Sequence, residues 1–165
     1  MANTNNDFIN GLDQFIFNGS EFGYISEEGL QPGGDQPQMT DIRAAQLQNA
    51  IVKTLLTTPG NIQFTFALVQ TGSKGFKDSF GGTVDPATGV YSAPAKIAAM
   101  EGPATIKCFS GHTIVIPKAS LTANLAGAIN ITDVLRISCT IKVLTPDDGG
   151  SPFQIYPPGQ NPPQG

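Results

Sequence analysis

The chain of 165 residues carries 13 prolines, 19 glycines and only 13% charged residues. That composition excludes a charge-laced helical bundle and points to one mainly β domain of short strands joined by tight turns. The formal net charge is −4, with nine Lys and Arg scattered singly, which excludes a nucleic-acid groove, because phosphates are held by clustered cations.

Residues 1–7 are polar, lack the basic and apolar regions of a secretory leader, and precede a chain without an apolar run of roughly 18 residues. The expectation is a flexible N-terminal arm at 1–7 on a soluble protein made in a cytoplasm, with the folded domain at 8–146. Phe8, Ile9 and Leu12 lead into Phe15-Ile16-Phe17, the turn pair Asn18-Gly19, and Phe22 to Ser26, which predicts a hairpin. Leu30 to Met39 contains two prolines and two adjacent glycines without periodicity and is expected to be a loop.

From Asp41 to Leu56 the local signals conflict. Thr40 is a candidate N-cap, Ala44 to Gln48 are good helix formers, and Leu47, Ile51 and Leu55 recur every four residues. Against a helix stand the β-branched pair Ile51-Val52 and the threonines at 54, 57 and 58. Beyond them, Ile62, Phe64, Phe66 and Leu68 alternate with Gln63, Thr65 and Ala67, the period of a half-buried strand. Thr58-Pro59-Gly60-Asn61 has turn chemistry. Ile51 to Leu56 and Ile62 to Val69 are therefore expected to form one hairpin with its tip at Thr57 to Asn61.

Ser73 is a candidate cap for a short helix from Lys74 to Phe80, stopped by Gly81-Gly82. Thr83 to Ala95 looks like a surface connection. Strands are expected at Ala104 to Phe109, Thr113 to Leu121 and Val134 to Leu144, with Ala123 to Ile131 a loop or a bulged strand. The five prolines after Asp147 predict an extended C-terminal arm at 147–165 that joins no central sheet. The largest in-phase apolar stripes, Phe64, Phe66 and Leu68 with Ile137, Cys139 and Ile141, are the expected core.

The residues offer no catalytic, cofactor or metal site. His112 is the only histidine, and it reads as a turn residue; Cys108 and Cys139 share strand phase with isoleucines and read as small core residues. Gly72-Ser73-Lys74-Gly75 lacks phosphate-loop spacing. Glu27-Glu28 and Asp147-Asp148 read as solvated turn acids. What remains is assembly. A long hairpin cannot bury both faces in one small domain and its edges need covering. Thr57, Thr58, Pro59, Gly60 and Asn61 are therefore candidate contacts between subunits, and Phe153, Ile155 and Tyr156, with Phe8 and Ile9, are candidate anchors on a neighbour.

The order of features resembles the major tail tube protein of long-tailed (siphovirus) bacteriophages. The residues that carry the resemblance are FGYISEEGL (22–30), TDIRA (40–44), IVKT (51–54) leading into IQFTFALVQ (62–70), SKGFKDSFGG (73–82) and TIVIPKASL (113–121). The resemblance favours strand over helix for Ile51 to Thr57. It implies two packed antiparallel sheets in a β-sandwich with one short flanking helix. It further implies a virion structural protein: a homo-oligomer of six-subunit rings, stacked into a tail tube that conducts DNA during genome ejection, with tape measure and tail-end proteins as partners. An acidic wall that lets a polyanion slide fits the composition independently. The alternative from another class is a monomeric β-sandwich binding or adhesion module.

Overall fold

The computed structural model describes residues 8–163, and the arm expected at 1–7 lies outside the described residues. The first half of the chain holds strands β1 (Leu12–Phe17), β2 (Ser20–Glu21), β3 (Gln31–Gly33), β4 (Gln38–Ala44), β5 (Ala50–Thr58) and β6 (Gln63–Leu68). Helix α1 (Ser73–Phe80) precedes β7 (Thr83–Val84), β8 (Tyr91–Ser92), β9 (Met100–Cys108), β10 (Thr113–Gly127), β11 (Leu135–Val143) and β12 (Gln154–Tyr156). The protein is mainly β, with packed antiparallel layers and one α-helix.

The main sheet runs β2-β1-β9-β10-β11-β6-β3, with β12 added on β10. Strand β10, 15 residues long, is the hinge of the fold. Its first part pairs with β9 and β12; from Ala119 to Gly127 it pairs with β11, and β9 stays paired with it as far as Leu121. The register against β9 shifts between Ile116 and Ala119, where Pro117 has no N–H to give the ladder and a bulge is the tolerated solution. The strand bends there, and one continuous sheet folds into two facing layers. Between the layers lie Phe15, Phe17, Ile106 and Ile116 from one side and Phe66, Leu68, Leu121, Ile137, Cys139 and Ile141 from the other, all buried. Phe64, also expected in the core, is half-buried at its margin.

Asn18 and Gly19 both have positive φ, at 53° and 79°, as the two-residue turn joining antiparallel strands requires. The return strand is only Ser20–Glu21, after which Ile25 bridges to Leu68. Helix α1 buries Ser79 and Phe80 on the core. Its N-cap is Gly72 rather than Ser73, because the Ser73 hydroxyl donates instead to the Gly89 carbonyl at 2.7 Å. Gly75, a weak helix former, is required by proximity: a Cβ there would stand 2.7 Å from the Gln70 carbonyl oxygen.

Several expectations are corrected. β5 is a strand, as favoured, but it pairs with β4 and not with β6; β6 lies instead between β11 and β3. The expected loop at 30–39 contains β3, a three-residue edge strand in which Pro32 is tolerated because no further strand needs its N–H. Ala123 to Gly127 continues β10. The C-terminal arm does join the main sheet: β12 pairs with Thr113 to Val115, because Pro152 and Pro157 leave the three residues Gln154–Tyr156 with intact donors.

Candidate functional site: an exposed apolar hairpin

Strands β4 and β5 form a two-stranded sheet of their own. The chain reverses between them in a 3-10 turn at Ala45–Leu47, followed by Gln48 and Asn49, both left-handed with φ of 54° and 62°. Asn49 N donates to the Ala44 carbonyl at 3.0 Å, and Arg43 Nη1 donates to the Asn49 carbonyl at 3.1 Å. Cross-strand side chains zip the ladder: Thr54 Oγ1 donates to Asp41 Oδ1 at 2.8 Å, and the Thr40 and Thr57 hydroxyls meet at 2.7 Å.

Every residue of β5 is exposed, and all of β4 except Ala44. Met39, Ile42, Leu47, Ile51, Val52, Leu55 and Leu56 are each 42 to 63% exposed. Register explains why no face of the hairpin is polar: Met39 pairs with Leu56 on one face, and Thr40 with Leu55 on the other. The result is several hundred Å² of apolar surface, on the order of the largest patches that monomers leave in water. An isolated two-stranded hairpin is marginal by itself.

The predicted contact residues Thr57, Thr58, Pro59, Gly60 and Asn61 lie at the root of this hairpin, not at a tip. Asn61 N donates to the Asp35 carbonyl at 3.0 Å, and Asn61 Nδ2 donates to Asp35 Oδ2, also at 3.0 Å. Gly60 passes so close that a Cβ would stand 2.6 Å from the Asp35 carbonyl oxygen. Gly60 and Asn61 thus clamp the hairpin root to Asp35, while Thr57 and Thr58 belong to the ladder itself, against Thr40 and Gln38. Of the predicted tail anchors, Phe153 packs half-buried on this chain's own core, and Tyr156 is half-buried in β12 with its hydroxyl donating to Gln154 Oε1 at 2.9 Å. Only Ile155 of the three stays exposed, along with Phe8 and Ile9.

Sequence reasoning missed a second apolar protrusion. Leu125, Ile129, Ile131 and Val134 are all exposed around the turn joining β10 to β11. Asn130 Oδ1 accepts from Thr132 N, Thr132 Oγ1 and Asp133 N, which fixes the loop. The signal was present as isoleucines in a segment without period.

A cleft of about 1110 Å³ runs along the seam between β1 and the segment from Glu21 to Leu30, reaching Phe64 and the first turns of α1. Its rim is acidic. The Glu28 carboxyl is held below its ordinary value by a hydrogen bond from the Ser26 hydroxyl and remains charged. Cys108 lines the cleft with its thiol pushed up by burial, and burial raises the Cys139 thiol to about 11. Both are protonated and weakly nucleophilic at neutral pH. His112 is buried with Nδ1 3.0 Å from Ser110 Oγ, a local turn contact. Among the described residues no group of three His, Cys, Asp or Glu converges on a metal position, and no helix is long and apolar enough to cross a membrane.

No protein-family model and no curated protein matches the chain. The site rests on its geometry.

Proposed function

We propose that this chain is a self-assembling structural subunit, of the kind that stacks in six-subunit rings to form the tail tube of a long-tailed bacteriophage. The single observation that carries the self-assembly is the β4–β5 hairpin, which presents seven large apolar side chains to water on a rigid root. Leaving that surface uncovered costs about 25 cal/mol per Å², and covering it is the task of another chain.

The placement of the two protrusions supports stacking. The hairpin root lies beside the end of β11, where Val143 N donates to the Ile62 carbonyl; the Leu125 to Val134 protrusion lies at the start of β11, where Leu135 pairs with Gly127. These points are separated by the length of a nine-residue strand, about 30 Å. Unlike apolar surfaces at opposite ends favour a head-to-tail contact that propagates, not a two-fold pair that stops. The tube reading adds the net charge of −4, which suits a wall past which DNA slides, and the resemblance in the order of sequence features.

Sedimentation and negative-stain imaging of the purified protein test the reading. Rings or tubes of uniform diameter are expected. A monomer at every concentration, with the hairpin resistant to protease, overturns it in favour of a binding module.

A further inference from the structure

The hairpin needs a cover, and the same molecule carries a cleft of matching chemistry. The cleft is lined by Asp13, Glu21, Glu27, Glu28 and Asp78 against the single cation Lys74, a formal balance of −4, with Lys74 paired to the half-buried Asp78. The hairpin holds Arg43 and Lys53 against Asp41, a formal +1 in a chain of net −4. Leu30, Phe64 and Ile114 line the cleft and are only partly buried, so they present an apolar floor to the Ile51 and Leu55 side chains, which alternate onto the same hairpin face as Lys53 and Arg43. The backbones match as well. Among the described residues no strand pairs with the outer edge of β1 at Leu12 to Gln14, and both outer edges of the two-stranded hairpin are unpaired.

We propose that the cleft along β1 receives the β4–β5 hairpin of a second copy of this chain, by strand addition at the β1 edge with Arg43 and Lys53 facing the acidic rim. This rests on the self-assembly reading and names its receiving surface. A hairpin does not fill its own cleft, because the Asp35–Asn61 clamp holds it where every residue of β5 is exposed. A copy that receives a hairpin still has its own hairpin free, so the contact repeats from subunit to subunit. Acid on one side and base on the other fixes which surface each hairpin meets.

A photo-crosslinking amino acid at Leu55, in assemblies mixing unlabelled and isotope-labelled chains, tests the proposal. Crosslinks between chains are expected at residues 12–15 or 21–30. Crosslinks at 125–134, or only within one chain, overturn it and leave self-assembly standing. Charge exchange gives an independent reading. Glu27→Lys with Glu28→Lys, and separately Arg43→Glu with Lys53→Glu, should each weaken assembly about tenfold, and the two pairs combined should restore it. If only the hairpin pair weakens assembly, the cleft is not the receiver. If neither pair does and crosslinks between chains are absent, the self-assembly reading fails and this inference falls with it.

Discussion

The ring of Phe15 packs against the ring of Phe66 with centroids 4.9 Å apart. Phe15 lies in β1 and Phe66 in β6, strands separated by β9, β10 and β11 in the order of the sheet. Laid flat, four strand spacings would hold them about 19 Å apart. Their contact is therefore the signature of the fold-over at Pro117, and with Phe22 they form the aromatic centre of the core. Phe66→Ala should cost about 3 to 5 kcal/mol in chemical denaturation. A Phe15→Leu, Phe66→Leu double-mutant cycle should show coupling of about 1 kcal/mol; additivity would place the two rings in separate environments.

Gly75→Ala opposes two effects in one residue. Helix propensity favours Ala by up to about 1 kcal/mol, but the new Cβ meets the Gln70 carbonyl oxygen at 2.7 Å. Backbone cannot yield as a flexible side chain does, so a net destabilisation of about 1 to 3 kcal/mol is expected. A rise in melting temperature would show that α1 has room to shift outward.

Cys139 makes stability depend on alkaline pH. Burial raises its thiol from about 9 to about 11, so between those values the unfolded chain loses a proton that the folded chain keeps. The unfolded state binds fewer protons there, and stability falls as pH rises from about 9 to about 11, by roughly 2 to 3 kcal/mol at the upper end. Cys139→Ala should flatten that part of the profile while lowering stability at pH 7. An unchanged alkaline slope would assign it to other groups.

Removing Asp147 to Gly165 strips β12 from β10 and takes Phe153 off the core. A loss of about 2 kcal/mol is expected by denaturation, with assembly retained once the protein is folded. Full stability with lost assembly would instead make the tail an anchor on another subunit.

How much of this was legible in the sequence depended on whether a residue's environment lay within its own chain. β6 and β11 alternate cleanly because one face meets the core, and Phe66, Leu68, Ile137, Cys139 and Ile141 were readable from period alone. β5 was not readable in the same way: the doublets Ile51-Val52 and Leu55-Leu56 break alternation, since both faces of that hairpin are apolar. Thr58-Pro59-Gly60-Asn61 has the chemistry of a tight tip but serves as a root. The true tip places Gln48, a poor turn former, in the left-handed region. β12 was hidden by its flanking prolines, which stop a strand from lengthening without forbidding three residues of pairing.

The most direct measurement of the central claim is excision of the hairpin. Residues 39–57 are replaced by Asn-Gly, so that Gln38 and Thr58 stay joined above the Asp35–Asn61 clamp, and the variant is examined by denaturation and by sedimentation. Because every residue of β5 is exposed, the body should keep its stability within about 0.5 kcal/mol, and the protein should sediment as a monomer without rings or tubes. Wild-type assembly by the excised variant would contradict the account.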